Sequence, residues 1–286
     1  MGEYTSVKRR KVGGQGKRPK ILKPLIGLSL LMAVLAVYTA LRSNTGADSS
    51  DVDDSLVNQY GNLSELEDPD RFMQAYLDAN GGLENLENLQ TMRINGLLLQ
   101  DENELKIFML KRRPDMALIT YRQGQSEVTH GHAEGHFWVR SYTPDKAPVY
   151  REMSEVESAQ MRKSLPMFGP VLSAYLTQQG RIETIQTSVY KDKKLLEVNV
   201  VTGSDNPAKK VLVDPKTMTI VSEYSTSADG REIISEFFDY LSVDGVKIPH
   251  RILTRSAGSE LSTFVVESIS FNIGASSSLF RADDMD

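Results

Sequence analysis

The sequence predicts a mainly β protein: an unclosed antiparallel β-barrel with a helical lid, preceded by one N-terminal transmembrane helix. Three observations predict it. A charge-free apolar run near the N-terminus is flanked on one side by a basic cluster. From Thr91 onward the apolar pattern has a period of two, cut into short segments by turn residues. One helical stretch, Glu155–Leu176, interrupts the strand series at its middle.

The first 24 residues carry eight basic residues and one acidic one, a net charge of +7 against −12 for the remainder of the 286-residue chain. Such asymmetry points to a membrane or a nucleic acid at one end. The run Pro24–Leu41, PLIGLSLLMAVLAVYTAL, favours the membrane. As a helix it is about 27 Å long, close to the hydrocarbon thickness of a bilayer. The excess of positive charge before it keeps residues 1–23 cytoplasmic and sends the rest across, with no role for nucleic acid. Two readings of the run stand. As an uncleaved signal anchor it gives a single-pass protein of the cytoplasmic (inner) membrane with a periplasmic domain. As a signal peptide cut near the weak small-residue site Thr45-Gly46-Ala47 it leaves a soluble periplasmic one. The chain has no cysteine, which excludes a lipidated cysteine, thiol catalysis and any disulfide, so the domain stands on its core alone.

Residues 42–67 are rich in Ser, Asn, Asp and Gly and read as an acidic linker, with a short helix expected within Leu56–Leu66. The folded domain, 68–286, is expected to start at Asp68-Pro69, an N-cap followed by proline at the first helical position. Phe72, Met73, Tyr76 and Leu77 follow at helical spacing, and Asn80-Gly81-Gly82 ends the helix. A second short helical turn spans Leu83–Leu89.

Strands are expected at Thr91–Leu99, Leu105–Lys111, Met116–Arg122, Glu127–His130, Phe137–Tyr142, Ile182–Tyr190, Leu195–Val201, Lys210–Val213, Thr219–Ser225, Glu232–Leu241, Ile248–Thr254 and Phe264–Phe271. Turn chemistry such as Arg113-Pro114-Asp115, Asp214-Pro215-Lys216 and Asp244-Gly245 separates them. Strands this short, without crossover helices, pair antiparallel. The helical pieces Glu155–Ser164 and Pro166–Leu176 then close the mouth of a half-open barrel. Such a sheet either holds a ligand or is filled by the helices' own side chains, and the pattern allows both.

No nucleophile elbow or H-E-x-x-H motif occurs, and the glycines around Lys17 lack phosphate-loop spacing. The chain is therefore expected to be no enzyme and to need no cofactor. His130, His132 and His136 are weak metal candidates, because the glycines among them signal a hairpin loop of solvated histidines. Trp138, the single tryptophan, reads as core or as cavity lining. Lys111, Arg112 and Arg113 read as a solvated strand edge or as a contact for an anionic lipid head group. Met153, Met161 and Met167 read as core filler or as an adaptable apolar lining.

Four runs carry a family resemblance. AYLDANGGLENLENLQTMRINGLLL (Ala75–Leu99), VLVDPKTMTIVSEY (Val211–Tyr224), FFDYLSVDGVKIPHRI (Phe237–Ile252) and FVVESISFN (Phe264–Asn272), closing on Ser278-Leu279-Phe280, resemble in order the LolA-like outer-membrane lipoprotein-sorting and lipoprotein carrier superfamily. The resemblance spans Asp68 to Phe280. It implies an apolar cavity for acyl chains of lipid or lipoprotein, covered by a lid that includes Ser154–Leu176. The Glu134-Gly135-His136-Phe137-Trp138 run departs from the family's hairpin in spacing. Alternating strand positions and the lid together give an expected lining of Leu98, Ile107, Trp138, Phe168, Leu172, Val198, Phe238 and Ile269. A one-residue shift of register would exchange faces. The alternative function is an envelope protein-interaction or sensing module with an envelope protein partner.

Overall fold

The computed structural model describes residues 63–100, 103–177, 180–203, 208–226, 230–256 and 261–282. The basic tail, the apolar run at 24–41 and the linker as far as residue 62 lie outside the described residues. Among the described residues, no helix is long and apolar enough to cross a membrane.

Part of the segment read as linker belongs to the fold. A 3-10 helix at Leu63–Glu67 buries Leu66 in the main core, and Glu67 accepts hydrogen bonds from Thr187 N and Oγ1, each 2.9 Å. Helix α1 (Pro69–Ala79) is capped by Asp68, whose side chain accepts from Arg71 N at 3.0 Å. It buries Phe72, Met73, Tyr76 and Leu77. It ends at Asn80, fully buried, whose amide donates to Tyr76 O (2.7 Å) and across the fold to Met218 O (3.0 Å). Helix α2 (Leu83–Asn88) follows and buries Leu86.

The sheet has thirteen strands among the described residues: β1 (Thr91–Gln100), β2 (Asn103–Arg112), β3 (Met116–Gln123), β4 (Ser126–Ala133), β5 (His136–Tyr142), β6 (Val149–Glu152), β7 (Gly180–Tyr190), β8 (Lys193–Thr202), β9 (Lys209–Asp214), β10 (Thr219–Thr226), β11 (Glu232–Val243), β12 (Val246–Ser256) and β13 (Ser262–Phe271). Their order is β6-β5-β4-β3-β2-β1-β13-β12-β11-β10-β9-β8-β7, antiparallel throughout. Two meanders therefore meet at β1–β13, and β6 and β7 are left as the two free edges. The chain passes from one edge to the other through α3 (Glu155–Ser164) and α4 (Pro170–Leu176). The barrel is unclosed, and helices stand where the closing pair of strands would be.

Close backbone approach fixes the register at the seam. The β1–β13 ladder shifts at Asn95/Gly96, and a Cβ on Gly96 would lie 2.4 Å from Val265 O. Only glycine admits that bulge.

The concave face carries the main core. Across the register Ile94 faces Met109 and Ile269, Leu98 faces Leu105 and Phe264, and Val198 faces Val211 and Ile185. A smaller cluster lies on the convex face: Leu110, Leu118, Ala133, Trp138 and Phe280, with Ile273, Ala275 and Ala282 packed against it. The C-terminal segment thus folds back over the outside of β2–β5, ending in a 3-10 helix at Ser277–Phe280.

Candidate ligand-binding site

The lid is anchored at three places. Its entry is a capping box: Ser154 Oγ accepts from Glu157 N (3.3 Å), and Glu157 Oε2 accepts from Ser154 N (2.8 Å). Glu157 also takes two hydrogen bonds from Arg151 of β6, at 2.6 and 2.8 Å, which hold its carboxyl well below the usual range, at about 2. Ser154→Ala is expected to lower stability by about 1 kcal/mol, read by urea denaturation. An unchanged midpoint would show that the lid's entry contributes nothing.

The joint between α3 and α4 is held from β2. Lys111 Nζ donates to Pro166 O at 2.8 Å, and the Arg113 guanidinium lies 5.2 Å from the Phe168 ring centroid. Arg113 also donates to Leu86 O (2.9 Å) and Glu87 O (3.1 Å), occupying carbonyls in the last turn of α2, while Arg112 donates to Ala275 O (3.2 Å). The basic triplet is therefore not a solvated edge. Each member ties the end of β2 to a different element: lid, C-terminal segment and α2. Lys111 sits opposite Met92 on the concave side, and burial lowers its ammonium to about 7. At the lid's exit, α4 buries Val171, Leu172 and Ala174, and a Cβ on Gly180 would lie 2.7 Å from Ala174.

Six of the eight expected lining residues belong to this apolar assembly. Leu98, Ile107 and Val198 are buried on the concave face, Phe168 and Leu172 are buried in the lid, and Ile269 is half-buried against them. Met161 and Met167 of the lid join the same core, with Met153 packed on it. Two expected residues lie elsewhere. Trp138 stands over Gly131 on the convex face, and its Nε1 donates to Phe280 O at 2.9 Å. Phe238 lies under the guanidinium of Arg251, 4.5 Å from its ring centroid, while its neighbour Phe237 enters the core. Both are single-residue parity errors. In Phe137-Trp138 and Phe237-Phe238 adjacent aromatics occupy opposite faces, and composition does not say which is inside.

The histidines are not in a loop. β4 runs on to Ala133, and the hairpin is the tight turn Glu134-Gly135, both with positive φ (52° and 83°). Gly131 is a strand residue, because a Cβ there would lie 2.1 Å from the Trp138 indole. His130 and His132 consequently share the concave face, and His136 is exposed at the turn. His132 Nδ1 is 2.7 Å from Asp115 O, with its ring 4.0 Å from Phe137. His130 meets the edge of Tyr121 at 5.5 Å. Burial pushes its imidazole down to about 4, with Glu157 opposing the shift and Arg151 assisting it. Among the described residues, no group of three or more His, Asp or Glu is placed to hold a metal ion.

Sequence reasoning misses a polar band on the concave face. Lys209 and Glu223 pair at 2.8 Å, and Ser235 bonds Thr254 at 3.1 Å, all facing the same way as Val211 and Phe237. Glu223 is buried although it is charged. The bulge at Ile220/Ser222 turns it inward. Burial, and then the like charge of Lys209 on β9, lowers the Lys163 ammonium at the end of α3. α3 follows β6, one free edge of the sheet, and α4 leads on to β7, the other.

No family model and no curated protein matches the sequence. Solved structures are similar in fold. A DUF1329 family protein from Desulfovibrio piger matches with a TM-score of 0.54 and 8% identity, over 76% of this chain and 99% of that one. A LolA superfamily protein from Nitrosomonas europaea matches with a TM-score of 0.49 and 10% identity, over 74% of this chain and 98% of that one. An outer-membrane lipoprotein-sorting protein domain from Vibrio parahaemolyticus matches with a TM-score of 0.49 and 11% identity, over 73% and 94%. At these identities the likeness is one of fold alone. The chain shares the fold of the Desulfovibrio piger DUF1329 family protein, an antiparallel barrel left unclosed between β6 and β7 and covered there by helices.

Proposed function

We propose that this chain is a membrane-anchored extracytoplasmic module that binds acyl chains of lipid or lipoprotein, without catalysis, in lipoprotein sorting or lipid transfer. The observation that carries the reading is the cover of the concave face. Its apolar side chains are closed off by two short helices jointed at Leu165–Gly169 rather than by strands. A strand leaves a sheet only by breaking a ladder of backbone hydrogen bonds. A helix keeps its own hydrogen bonds and can move away as a body, exposing Leu98, Ile107 and Val198 along one trough. An acyl chain entering it gains about 0.8 kcal/mol per methylene removed from water. A dozen methylenes suffice without a charged partner. The apolar run at 24–41 and the +7 of the first 24 residues support an anchor with the domain on the periplasmic side.

Native mass spectrometry of the gently purified chain is expected to show a bound lipid, identified after extraction. Leu172→Trp adds bulk on the buried face of α4 and is expected to lower acyl-probe affinity about tenfold, at a stability cost of about 1–3 kcal/mol. An apo mass that also ignores added fatty acids and phospholipids would sink the reading in favour of a protein-binding module. Unchanged affinity in Leu172→Trp would remove α4 from the site.

A further inference from the structure

Of the two edges that the unclosed barrel leaves, β6 has four residues and β7 has eleven. β7 pairs with β8 along its whole length and, among the described residues, with no strand on its other side. Thr187 shows how that outer side is turned. Its N–H donates to Glu67 Oε1 at 2.9 Å, and its Oγ1 donates to the same oxygen at 2.9 Å. Backbone direction alternates along an antiparallel strand. Ile185 and Val189, two residues to either side, therefore also turn N–H and C=O away from β8. Among the described residues, Glu67 makes the hydrogen bond that reaches this outer backbone between Ile185 and Val189, and no other does. The first part of the strand is blunted in other ways, by a bulge at Ile182/Thr184 and by the Arg181–Glu183 pair at 2.6 Å. From Ile185 to Val189, one carboxylate oxygen stands where the carbonyl of a next strand would stand.

The same stretch adjoins the trough. Ile185 is opposite Val198 and belongs to the main core, and Thr187 is opposite the fully buried Leu196. Val189 turns its side chain to that face too and is 69% exposed, so an apolar group is left uncovered there. A chain lying along this edge is at the open side of the barrel, beside the floor that would hold an acyl tail.

We propose that the outer edge of β7 from Ile185 to Val189 is the subsite for the peptide part of an acylated polypeptide. The peptide adds as a strand while its acyl chain enters the trough, and Glu67 holds the edge until it arrives. The inference rests on the acyl-binding reading above and selects an acylated polypeptide over free lipid. Strand addition draws its affinity from main-chain hydrogen bonds, so it tolerates many sequences. It asks for an extended segment with an apolar residue positioned to cover Val189. Glu67 is the last residue of the 3-10 helix Leu63–Glu67, which is anchored in the core by Leu66. Its carboxylate therefore leaves the edge without the segment having to unfold.

The test is competition against a fluorescent acyl probe on the full chain in nanodiscs, with partition into empty nanodiscs subtracted. The competitors are decanoate, an N-decanoyl hexapeptide of alternating threonine and valine, and the same hexapeptide N-methylated at every residue. The methylated form keeps the acyl chain and side chains but cannot pair as a strand. The unmethylated hexapeptide is expected to displace the probe at a concentration about tenfold lower than the methylated one. Glu67→Ala frees the Thr187 N–H and should widen the gap between the two peptides about threefold further. Binding of the unmethylated peptide should also slow hydrogen exchange in Gly180–Tyr190 about tenfold, and the methylated peptide should not. Equal displacement by the two peptides in the parent overturns the edge subsite and leaves acyl binding standing. Displacement by none of the three competitors overturns both. A preference for the unmethylated peptide without slower exchange in Gly180–Tyr190 places the peptide elsewhere and overturns the subsite. Dimers of Glu67→Ala formed without peptide, seen by native mass spectrometry, would assign the edge to a second copy of the chain and overturn it as well.

Discussion

Trp138→Ala is expected to cost about 3–5 kcal/mol, the range for deleting a large buried aromatic. The indole is 4% exposed, it fills the space that Gly131 leaves on β4, and its Nε1 holds Phe280 O at 2.9 Å. Phe280 is fully buried in the same convex cluster. Losing the indole therefore opens a cavity and also detaches the C-terminal segment. Stabilities of single domains amount to only about 5–15 kcal/mol, so the urea midpoint measured by circular dichroism should fall sharply. Proteolysis should then reach 273–282 first. Phe280→Ala should be strongly non-additive with Trp138→Ala, because one contact is lost in both. The milder Trp138→Phe should leave acyl-probe affinity unchanged, since this cluster faces away from the lid. A folded Trp138→Phe that no longer binds the probe would return the tryptophan to the ligand side and contradict the convex placement.

The sheet was legible because alternation and turn chemistry agree along most of the chain. Met92–Leu98 and Leu196–Val200 alternate, and Asp214-Pro215-Lys216 and Asp244-Gly245 fall where the strands turn. Val149–Glu152 gives no such signal. β6 is a four-residue edge strand with one paired side and no buried face, so nothing selects an apolar alternation. The histidine stretch misleads for a different reason. Glycine ordinarily marks a turn, but Gly131 is a strand residue that makes room for an indole. The segment read as linker includes Leu63–Glu67, which one buried leucine, Leu66, anchors to the core.

The site was legible only as an apolar face. Leu98, Ile107, Val198, Phe168 and Leu172 follow from period and from the position of the helical break. Polar residues turned inward do not follow, because the same pattern assigns every polar position to solvent. Tyr121, Gln160 and Glu223 are buried by a register, a helix face and a bulge, none of which the local sequence marks. Arg113 is similar: a basic residue after a strand reads as exposed until α2 and Phe168 are seen beside it.

Lys111 provides the second large effect, visible in how stability depends on pH. It is 3% exposed, lies opposite Met92 on the concave side and donates to Pro166 O at 2.8 Å. Burial lowers its ammonium to about 7 in the folded chain, against about 10.4 when unfolded. Between these values the unfolded chain holds a proton that the folded chain has released, so stability rises with pH, by up to about 1.4 kcal/mol per unit. Below about 7 both states are protonated and the slope from this group vanishes. Above pH 10 the buried tyrosines act in the opposite sense, because burial raises Tyr76, Tyr121 and Tyr240 and keeps them protonated after the unfolded chain has ionised. The clean window is therefore about pH 7 to 9.5, where the parent should gain a few kcal/mol in urea titrations. Lys111→Met keeps the aliphatic stem and removes the charge, so its stability should rise much less than the parent's across that window and exceed the parent's most at pH 7. The same slope in both proteins would show Lys111 to be solvated, and the joint of the lid would then not be held by a buried lysine.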